Sequence, residues 1–275
     1  MNDDEALESE RVAGEPGQSL AFGSVTAGVG EVVLNRPEKL NSMTEAMVAQ
    51  LRDALTAVVD DGARAVLIRA EGRGFSAGRD IAGAKPGVED GGTVLEDVFN
   101  PLMAQVAALE VPTFAAVQGA CLGTGLGVAL ACDVVYAARD AKLGSPFAQI
   151  GAVLDSGAHQ AFVARMGAHR TLELIYTGRL LTGEEAAGWG LVNASLPPEE
   201  LLGHARAVAQ QVANGPTRAF AESKRLVRTL TDSPQSLDAV LAAEAEAQRR
   251  ASRTSDYVEG FTAFVERRTP TFRGV

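Results

Sequence analysis

The chain has 275 residues, a net charge of −10 and a hydrophobic fraction of 46%, which is ample for a packed core. The acidic balance argues against nucleic acid as a partner, because phosphate backbones are bound by clustered Lys and Arg. No window approaches the apolar length of a membrane span and the acidic start is unlike a signal peptide, so we expect a cytoplasmic protein without membrane partners.

The first predicted elements are a strand, a helix and a second strand. Apolar residues at 25–34 predict a strand that ends before Pro37. Thr44 is expected to cap an amphipathic helix that continues to about residue 60. The short apolar run at 65–70 is typical of a strand buried on both faces.

The middle of the chain repeats this alternation. Helical spacing of apolar residues at 93–109 ends at Pro112, and residues 113–117 predict another buried strand. Residues 125–131 then predict a helix and residues 134–137 the next strand. Strands that alternate with helices in this way indicate the α/β class.

Three regions are predicted along the chain. Residues 1–19 are charged and poor in apolar side chains, which predicts a mobile N-terminal tail. Residues 20–200 carry the α/β core. From residue 201 to 275 the composition changes to Ala, Glu, Gln and Arg at helical spacing, with breaks at 215–216 and 233–234, so this region is expected to be all helix.

The cysteines and histidines do not suggest a metal site. Cys121 and Cys132 lie in or beside an apolar Gly/Ala-rich segment, which favours small buried hydrophobic residues over a disulfide. His159, His169 and His204 have no metal-ligand spacing with them. We therefore predict neither a metal nor a separate cofactor.

Two glycine-rich turns are the most informative motifs. Residues 72–80 read GRGFSAGRD and residues 118–127 read QGACLGTGLG. Together they can supply two backbone N–H groups to one carbonyl oxygen, the apparatus that stabilises an enolate. Alone, the second motif fits a tight strand-to-helix turn equally well. It does not fit a dinucleotide loop, because Val128 occupies the last glycine position of G-x-G-x-x-G.

Five sequence blocks, in order along the chain, resemble the enoyl-CoA hydratase/isomerase, or crotonase, superfamily. The resemblance implies a crotonase-like spiral of repeated ββα units, followed by a helical C-terminal region for oligomerisation into a homotrimer or a dimer of trimers. It also implies an acyl-CoA thioester as substrate. The blocks span residues 34–43, 74–81, 118–137, 177–193 and 259–274.

The resemblance implies an oxyanion hole made by the backbone N–H groups of Arg79 and Thr124. Most relatives carry Gly at the position of Thr124, and a backbone donor survives this change if φ stays negative. Basic residues near the nucleotide end of coenzyme A could equally be ordinary surface charges. The residues expected by resemblance to bind coenzyme A are Arg36, Lys39, Ser76, Ala77, Asp80, Gly123 and Lys224.

The chain departs from the hydratase pattern at both catalytic glutamates. Hydratases of the superfamily carry glutamates at the positions that match Gly127 and Phe147 here. Neither residue can position water or transfer a proton, which argues against ordinary hydration of a 2-enoyl-CoA.

One acid, Asp155, remains in a suggestive position. The stretch IGAVLDSG at 150–157 resembles the epoxy-CoA isomerases of the phenylacetate pathway, which have Pro where this chain has Leu154. A single carboxylate facing an apolar pocket could move a proton between two carbons, and desolvation would raise its pKa. The alternative interpretation is an N-cap of the helix that follows.

An apolar acyl pocket is predicted beside this acid, although its members could also be ordinary core residues. We hypothesise an enoyl-CoA isomerase, with residual hydratase activity and a catalytically silent acyl-CoA-binding subunit as alternatives. The predicted pocket residues are Val98, Met103, Phe147 and Leu154.

Overall fold

A computed structural model of the protein describes residues 19–275, and the predicted N-terminal tail lies outside this part except for its last residue. Among the described residues the strands form one six-stranded sheet and one three-stranded sheet. The strands are β1 Ala21–Thr26, β2 Val29–Leu34, β3 Ala65–Ala70, β4 Thr113–Val117, β5 Ala120–Leu122, β6 Val134–Ala138, β7 Lys142–Gly144, β8 Leu181–Thr182 and β9 Ala194–Leu196.

Helices surround the two sheets and make up most of the C-terminal region. Single 3₁₀ turns occur at Pro37–Lys39 and Phe147–Ile150, and a π-helical turn at Leu95–Phe99 separates the second helix from the third. The helices are α1 Glu45–Asp60, α2 Gly91–Val94, α3 Asn100–Ala108, α4 Thr124–Ala131, α5 Ala158–Met166, α6 Ala168–Thr177, α7 Gly183–Gly188, α8 Pro198–Ala213, α9 Thr217–Asp232, α10 Leu237–Ala251 and α11 Ser255–Glu266.

The large sheet has the order β1-β2-β3-β4-β6-β9. β1 runs antiparallel to β2, and all the other neighbours in the sheet are parallel. The carboxyl ends of β2, β3, β4 and β6 therefore meet at one edge, which we call the carboxyl edge, and their starts form the amino edge. Open sheets of parallel strands generally bind ligands at the carboxyl edge.

The helix α1 is capped at its start and packs its apolar face on the first two strands. The Thr44 side chain accepts a hydrogen bond from the Met47 amide and caps the helix, as predicted. Its apolar face, including Leu51 and Leu55, is fully buried and packs on β1 and β2. Burying each such leucine contributes about 1.5–3 kcal/mol.

The prediction of a single strand over 25–34 was wrong in its extent. Residues 21–34 form a hairpin in which Ala27 and Gly28 make a two-residue turn with φ of 50° and 81°. Two positive φ values give the turn a twist that matches the twist of the two strands. Such turns usually contain Asn, Asp or Gly at the first position, so alanine there does not indicate one.

The core is formed by the sheet and its helices. Every residue of β4 is buried, and β4 packs against α4 and α8. Cys121 and Cys132 are buried free thiols, as predicted, and burial raises the pKa of Cys132 to about 12. They therefore stay protonated at neutral pH.

The C-terminal region is helical, as predicted, and its last residues are held in place by a buried acid. Asp256 is 3% exposed and accepts hydrogen bonds from the amides of Arg273 and Gly274, both at 2.7 Å. Arg64 donates to the carbonyl oxygens of Phe272 and Gly215. None of the helices in residues 19–275 combines the length and apolarity needed to cross a membrane.

Candidate active site

The two glycine-rich turns lie side by side at the carboxyl edge. The Ser76 amide donates to the Ala120 carbonyl at 2.8 Å, and the Leu122 amide donates to the Ser76 carbonyl at 2.9 Å. The buried Ser76 hydroxyl donates to the Asn41 carbonyl at 2.8 Å and accepts from the Gly78 amide at 3.1 Å. Ser76 thus fixes the first turn against the second.

Gly78 allows the two turns to approach closely. Its φ is +93°, a conformation that side chains rarely adopt. A Cβ atom at this position would lie 2.9 Å from the Leu122 carbonyl oxygen and 3.7 Å from the Thr124 nitrogen. The backbone that carries the first predicted donor therefore packs directly on the backbone that carries the second.

The predicted donors are the amides that this packing leaves free. The Gly78 carbonyl and the Asp80 amide both hydrogen-bond to Met43, so the Arg79 amide faces the other way along the extended chain. Thr124 is the first residue of α4, and its amide lacks an acceptor within the helix. Within residues 19–275 neither amide has a hydrogen-bond acceptor. Unpaired amides fixed in place are what an oxyanion hole requires.

Asp155 lies in the turn before α5 and does not cap this helix. The N-cap residue is Gly157, and the start of α5 has no side-chain capping hydrogen bond. The carboxylate instead accepts a hydrogen bond at Oδ1 from the Ser156 hydroxyl, at 2.7 Å. Oδ2 has no donor among the described residues. The structure thus does not support the N-cap interpretation.

The environment of Asp155 raises its pKa above the usual range of an aspartate. Burial is the largest cause, because desolvation disfavours the charged form. The Ser156 hydrogen bond and the positive charges of Arg79 and His159 oppose it with smaller effects. The Arg79 guanidinium itself pairs with Glu89 at 2.6 Å. A raised pKa brings the carboxyl group closer to the range of a general base.

Ser156 occupies the space beside Gly127. It is 5% exposed and has a φ of +56°, a left-handed conformation that costs a non-glycine residue about 1–3 kcal/mol. A Cβ atom at Gly127 would lie 2.4 Å from the Ser156 Cβ and 2.8 Å from its carbonyl oxygen. Position 127 therefore has no room for any side chain while Ser156 keeps this place.

Phe147 flanks the second turn from the other side. Its ring atoms would lie 3.0 and 3.1 Å from a Cβ atom built on Gly123. The Gly123 amide donates to the Gly144 carbonyl at 3.0 Å, which fixes this turn to β7. The half-buried phenyl ring thus packs beside Gly123, the residue that precedes Thr124.

An open cavity of about 740 Å³ reaches the neighbours of Asp155 and extends beneath α9, but Arg79, Thr124, Phe147 and Asp155 do not line it. Met103, Gly127 and Ser156 form its wall next to Asp155, and Asp133 and Lys224 lie at the amino edge. Of the four predicted pocket residues, Met103 lines this cavity, and Val98, Phe147 and Leu154 do not. Leu154 is buried and Val98 is half-buried, both packed with the core.

Besides Ser76 and Gly123, three more of the predicted coenzyme A residues are paired with one another or with the backbone at the carboxyl edge. The Arg36 guanidinium donates to Asp80 at 2.5 Å and to the Ser42 carbonyl and hydroxyl. The hydrogen bond from Arg36 lowers the pKa of Asp80. The Ala77 amide donates to the Leu40 carbonyl at 2.8 Å.

Lys39 and Lys224 lie at opposite edges of the sheet. Lys39 is exposed in the 3₁₀ turn after β2, at the carboxyl edge. The Lys224 ammonium group bonds to Asp133 at 2.8 Å and to the Val111 carbonyl at 3.1 Å, at the amino edge. The structure therefore does not bring Lys224 together with Arg36 and Lys39.

Comparison with known proteins identifies the family. The sequence model of the family described as enoyl-CoA hydratase/isomerase matches residues 24–275. The chain belongs to this family. The enoyl-CoA hydratase/isomerase family includes relatives with different reactions, so membership alone does not decide the reaction of this chain.

Relatives named as isomerases and relatives named as hydratases both match almost the whole chain. A 1,2-epoxyphenylacetyl-CoA isomerase of Escherichia coli is 36% identical over 258 residues, which are 91% of this chain and 97% of the relative. A 2,3-dehydroadipyl-CoA hydratase of the same organism is 31% identical, over 88% of this chain and 94% of the relative.

The solved structure of an enoyl-CoA hydratase from Bacillus anthracis superposes with a TM-score of 0.85 at 29% identity. It covers 93% of this chain and 100% of the solved one. The predicted crotonase-like α/β fold is thus confirmed.

One functional candidate, Ser156, was missed by the sequence analysis. The Asp-Ser-Gly sequence before a helix was interpreted as a possible cap, which gives the serine no contact of its own. Consecutive left-handed residues at Ser156 and Gly157 turn its hydroxyl back to Asp155. The signal that could have indicated this was Gly127, since a glycine in a helix often marks a close contact.

Proposed function

We propose that this member of the enoyl-CoA hydratase/isomerase family isomerises an enoyl-CoA by a one-base proton shuttle. The observation that carries the proposal is the arrangement around Asp155. A half-buried carboxylate with a raised pKa lies near two adjacent turns whose amides at Arg79 and Thr124 are unpaired within the described residues.

The proposed reaction conserves atoms and charge. The Asp155 carboxylate removes a proton from C2 of a 3-enoyl-CoA, and the electron pair moves to the thioester oxygen to form a dienolate. The amides of Arg79 and Thr124 stabilise this negative charge. The carboxylic acid then returns the proton to C4, the C2–C3 double bond forms, and the carboxylate is restored.

Positions 127 and 147 support isomerisation over hydration. Gly127 and Phe147 stand where hydratase glutamates are expected by resemblance, so water has neither carboxylate to activate it. Position 127 is also closed by Ser156. The cavity beside Met103 and Gly127 is proposed to receive the acyl group, with Phe147 next to the thioester.

Coenzyme A is proposed to lie along the carboxyl edge, near Arg36, Lys39, Asp80 and the turns that contain Ala77 and Gly123. Lys224 is left out because it lies at the amino edge. The proposed reaction uses no cofactor beyond the coenzyme A of the substrate, and we propose that it takes place in the cytoplasm.

The test is a set of thioesters incubated with the purified full chain and followed by mass spectrometry and chromatography. The set contains a 3-enoyl-CoA, a 2-enoyl-CoA and 1,2-epoxyphenylacetyl-CoA, the last because of the isomerase relative. We expect the 3-enoyl-CoA to become its 2-enoyl isomer, and Asp155→Asn to lose roughly 100-fold or more of this rate.

Other products would contradict the proposal. Hydration of the 2-enoyl-CoA at a higher rate than isomerisation would favour a hydratase. Tight binding of acyl-CoA in calorimetry without turnover of any thioester would favour a silent binding subunit. An unchanged rate in Asp155→Asn would reject Asp155 as the base.

We further propose a homotrimer or a dimer of trimers assembled through the C-terminal helices. The face of α11 exposes Val258, Phe261, Phe264 and Val265, each with more than half of its surface in contact with solvent. Contiguous apolar surface of this kind marks an interaction site. Light scattering should give three or six times the chain mass, and Phe264→Ser should lower it.

A further inference from the structure

We propose that Ser156 is a positioning residue for Asp155, and that Gly127 is glycine because Ser156 needs its space. This inference rests on the proposed function, since it concerns the carboxylate that acts there as the base. It assigns a role to a serine that the sequence analysis did not select.

The Ser156 hydroxyl holds one oxygen of the Asp155 carboxylate. Ser156 Oγ donates to Oδ1 of Asp155 at 2.7 Å, and Oδ2 is left without a donor among the described residues. A carboxylate that is held by one oxygen keeps one orientation and presents the other oxygen for proton transfer. Holding a base in a productive geometry is a large part of catalysis.

The backbone at Ser156 is held in a left-handed conformation. Ser156 has a φ of +56° and is followed by Gly157 with a φ of +76°, while the glycine alone would serve as the helix N-cap. A serine in a left-handed conformation is uncommon and needs a reason. Local strain of this kind concentrates at functional sites, where surrounding packing maintains it.

Packing against α4 keeps Ser156 in this left-handed conformation. The 2.4 Å separation between the Ser156 Cβ and a Cβ atom built on Gly127 shows that even alanine at 127 would displace the turn. The Met103 sulfur, 3.3 Å from the same point, closes the space further. Gly127 and Ser156 therefore work as a pair. Position 127, where hydratases carry a glutamate, here leaves room for the serine that holds Asp155.

The decisive variant is Ser156→Gly. Glycine adopts the left-handed conformation without strain, so the fold is expected to be kept while the hydrogen bond to Asp155 is lost. We expect kcat for isomerisation to fall roughly tenfold or more, because the carboxylate loses its orientation. The affinity for a saturated acyl-CoA should stay within twofold of the unmodified protein.

The pH profile separates positioning from a merely structural role. A hydrogen bond to the charged form lowers a pKa, so its removal raises the pKa of Asp155. The acid limb of kcat/KM should therefore move to higher pH in Ser156→Gly and in Ser156→Ala. The matched control is Ala27→Gly, another left-handed position with φ of 50° in the exposed β1–β2 turn, which should leave both kcat and the acid limb unchanged.

A direct titration distinguishes failure of this inference from failure of the proposed function. The carboxyl carbon of Asp155, labelled with ¹³C and assigned by its loss in Asp155→Asn, can be titrated by NMR without any substrate. A raised pKa in Ser156→Gly supports the Ser156–Asp155 pair even if the protein does not isomerise thioesters. An unchanged pKa and an unchanged kcat in a folded Ser156→Gly protein would overturn the inference while leaving the proposed function intact.

A Gly127→Ala variant tests the second half of the inference. It should reproduce the loss of kcat and the move of the acid limb to higher pH, although the side chains of Asp155 and Ser156 are themselves unchanged. Retention of the original acid limb in a folded Gly127→Ala protein would show that Ser156 does not depend on this glycine.

Discussion

The two edges of the large sheet differ in how their polar groups are satisfied. At the amino edge, the Asp133 carboxylate accepts from the Thr113 amide and hydroxyl at 2.8 and 2.9 Å and from Lys224 at 2.8 Å. At the carboxyl edge, the amides of Arg79 and Thr124 are unpaired within the described residues.

This difference separates polar groups that stabilise the fold from polar groups that remain available to a ligand. Paired groups at the amino edge stabilise the fold, because a buried polar group that loses its partner is costly. Unpaired and desolvated groups at the carboxyl edge reduce stability but are available to a ligand. Variants that change one group at a time at each edge separate these two roles.

The largest expected effect is on catalysis, from Thr124→Pro. Proline is tolerated at the first position of a helix but has no N–H to donate. We expect kcat to fall roughly 100- to 1000-fold, as for other removed oxyanion donors. Thr124→Ala keeps the amide and should retain most of the activity. A folded Thr124→Pro protein with normal kcat would exclude this amide from the oxyanion hole.

The next effect is on stability, from Lys224→Ala at the amino edge. Removing the ammonium group leaves Asp133 without its charged partner, which should lower the free energy of unfolding by about 2 kcal/mol. Urea denaturation measures this loss, and kcat should stay within twofold. The control is Lys39→Ala, an exposed lysine at the other edge, whose effect should stay within about 0.5 kcal/mol. A raised KM without loss of stability in Lys224→Ala would instead indicate substrate binding.

A smaller effect is expected on the stability of Asp155→Asn. Because burial raises the pKa of Asp155 in the folded state, its stabilising contribution is present at low pH and is lost as the pH rises through the folded pKa. Asparagine resembles the protonated group, so Tm at neutral pH should rise by a few degrees at most. The difference should vanish as the pH is lowered. A lower Tm at neutral pH would show that the charged carboxylate stabilises the fold.

The smallest effect is a movement of the acid limb of kcat/KM. The positive charge of Arg79 lowers the pKa of Asp155, so Arg79→Ala, which keeps the backbone amide, should move the limb to higher pH. Glu89→Gln frees the Arg79 guanidinium from its ion pair and should move the limb to lower pH. Movement of both variants in the same direction would contradict this electrostatic account.

Much of the fold followed from local patterns in the chain. The alternation of buried strands and helices predicted the α/β class, and the helical spacing after residue 201 predicted the C-terminal helices. The hairpin at Ala27 and Gly28 was missed because apolar residues continue through the turn and nothing local marks alanine as left-handed.

The candidate site was predicted only in part. The sequence identified the two turns and Asp155, because glycine spacing and a single acid in a family motif are local signals. It could not tell a base from a helix cap, since both interpretations use the same residues. The N-cap at Gly157 and the hydrogen bond from the Ser156 hydroxyl speak against the cap, and the role of Asp155 as the base stays a proposal.

By itself, the sequence determined which backbone could form close turns and which side chains carry charge, since both depend on residue type and spacing. Only the tertiary structure decided which charges meet. The parallel direction of the strands placed Arg36 and the Lys224–Asp133 pair at opposite edges, and the contact of Ser156 with Gly127 joined residues 29 positions apart. The physical reason is that hydrogen bonds and desolvation depend on distances that chain folding sets, and no local pattern encodes them.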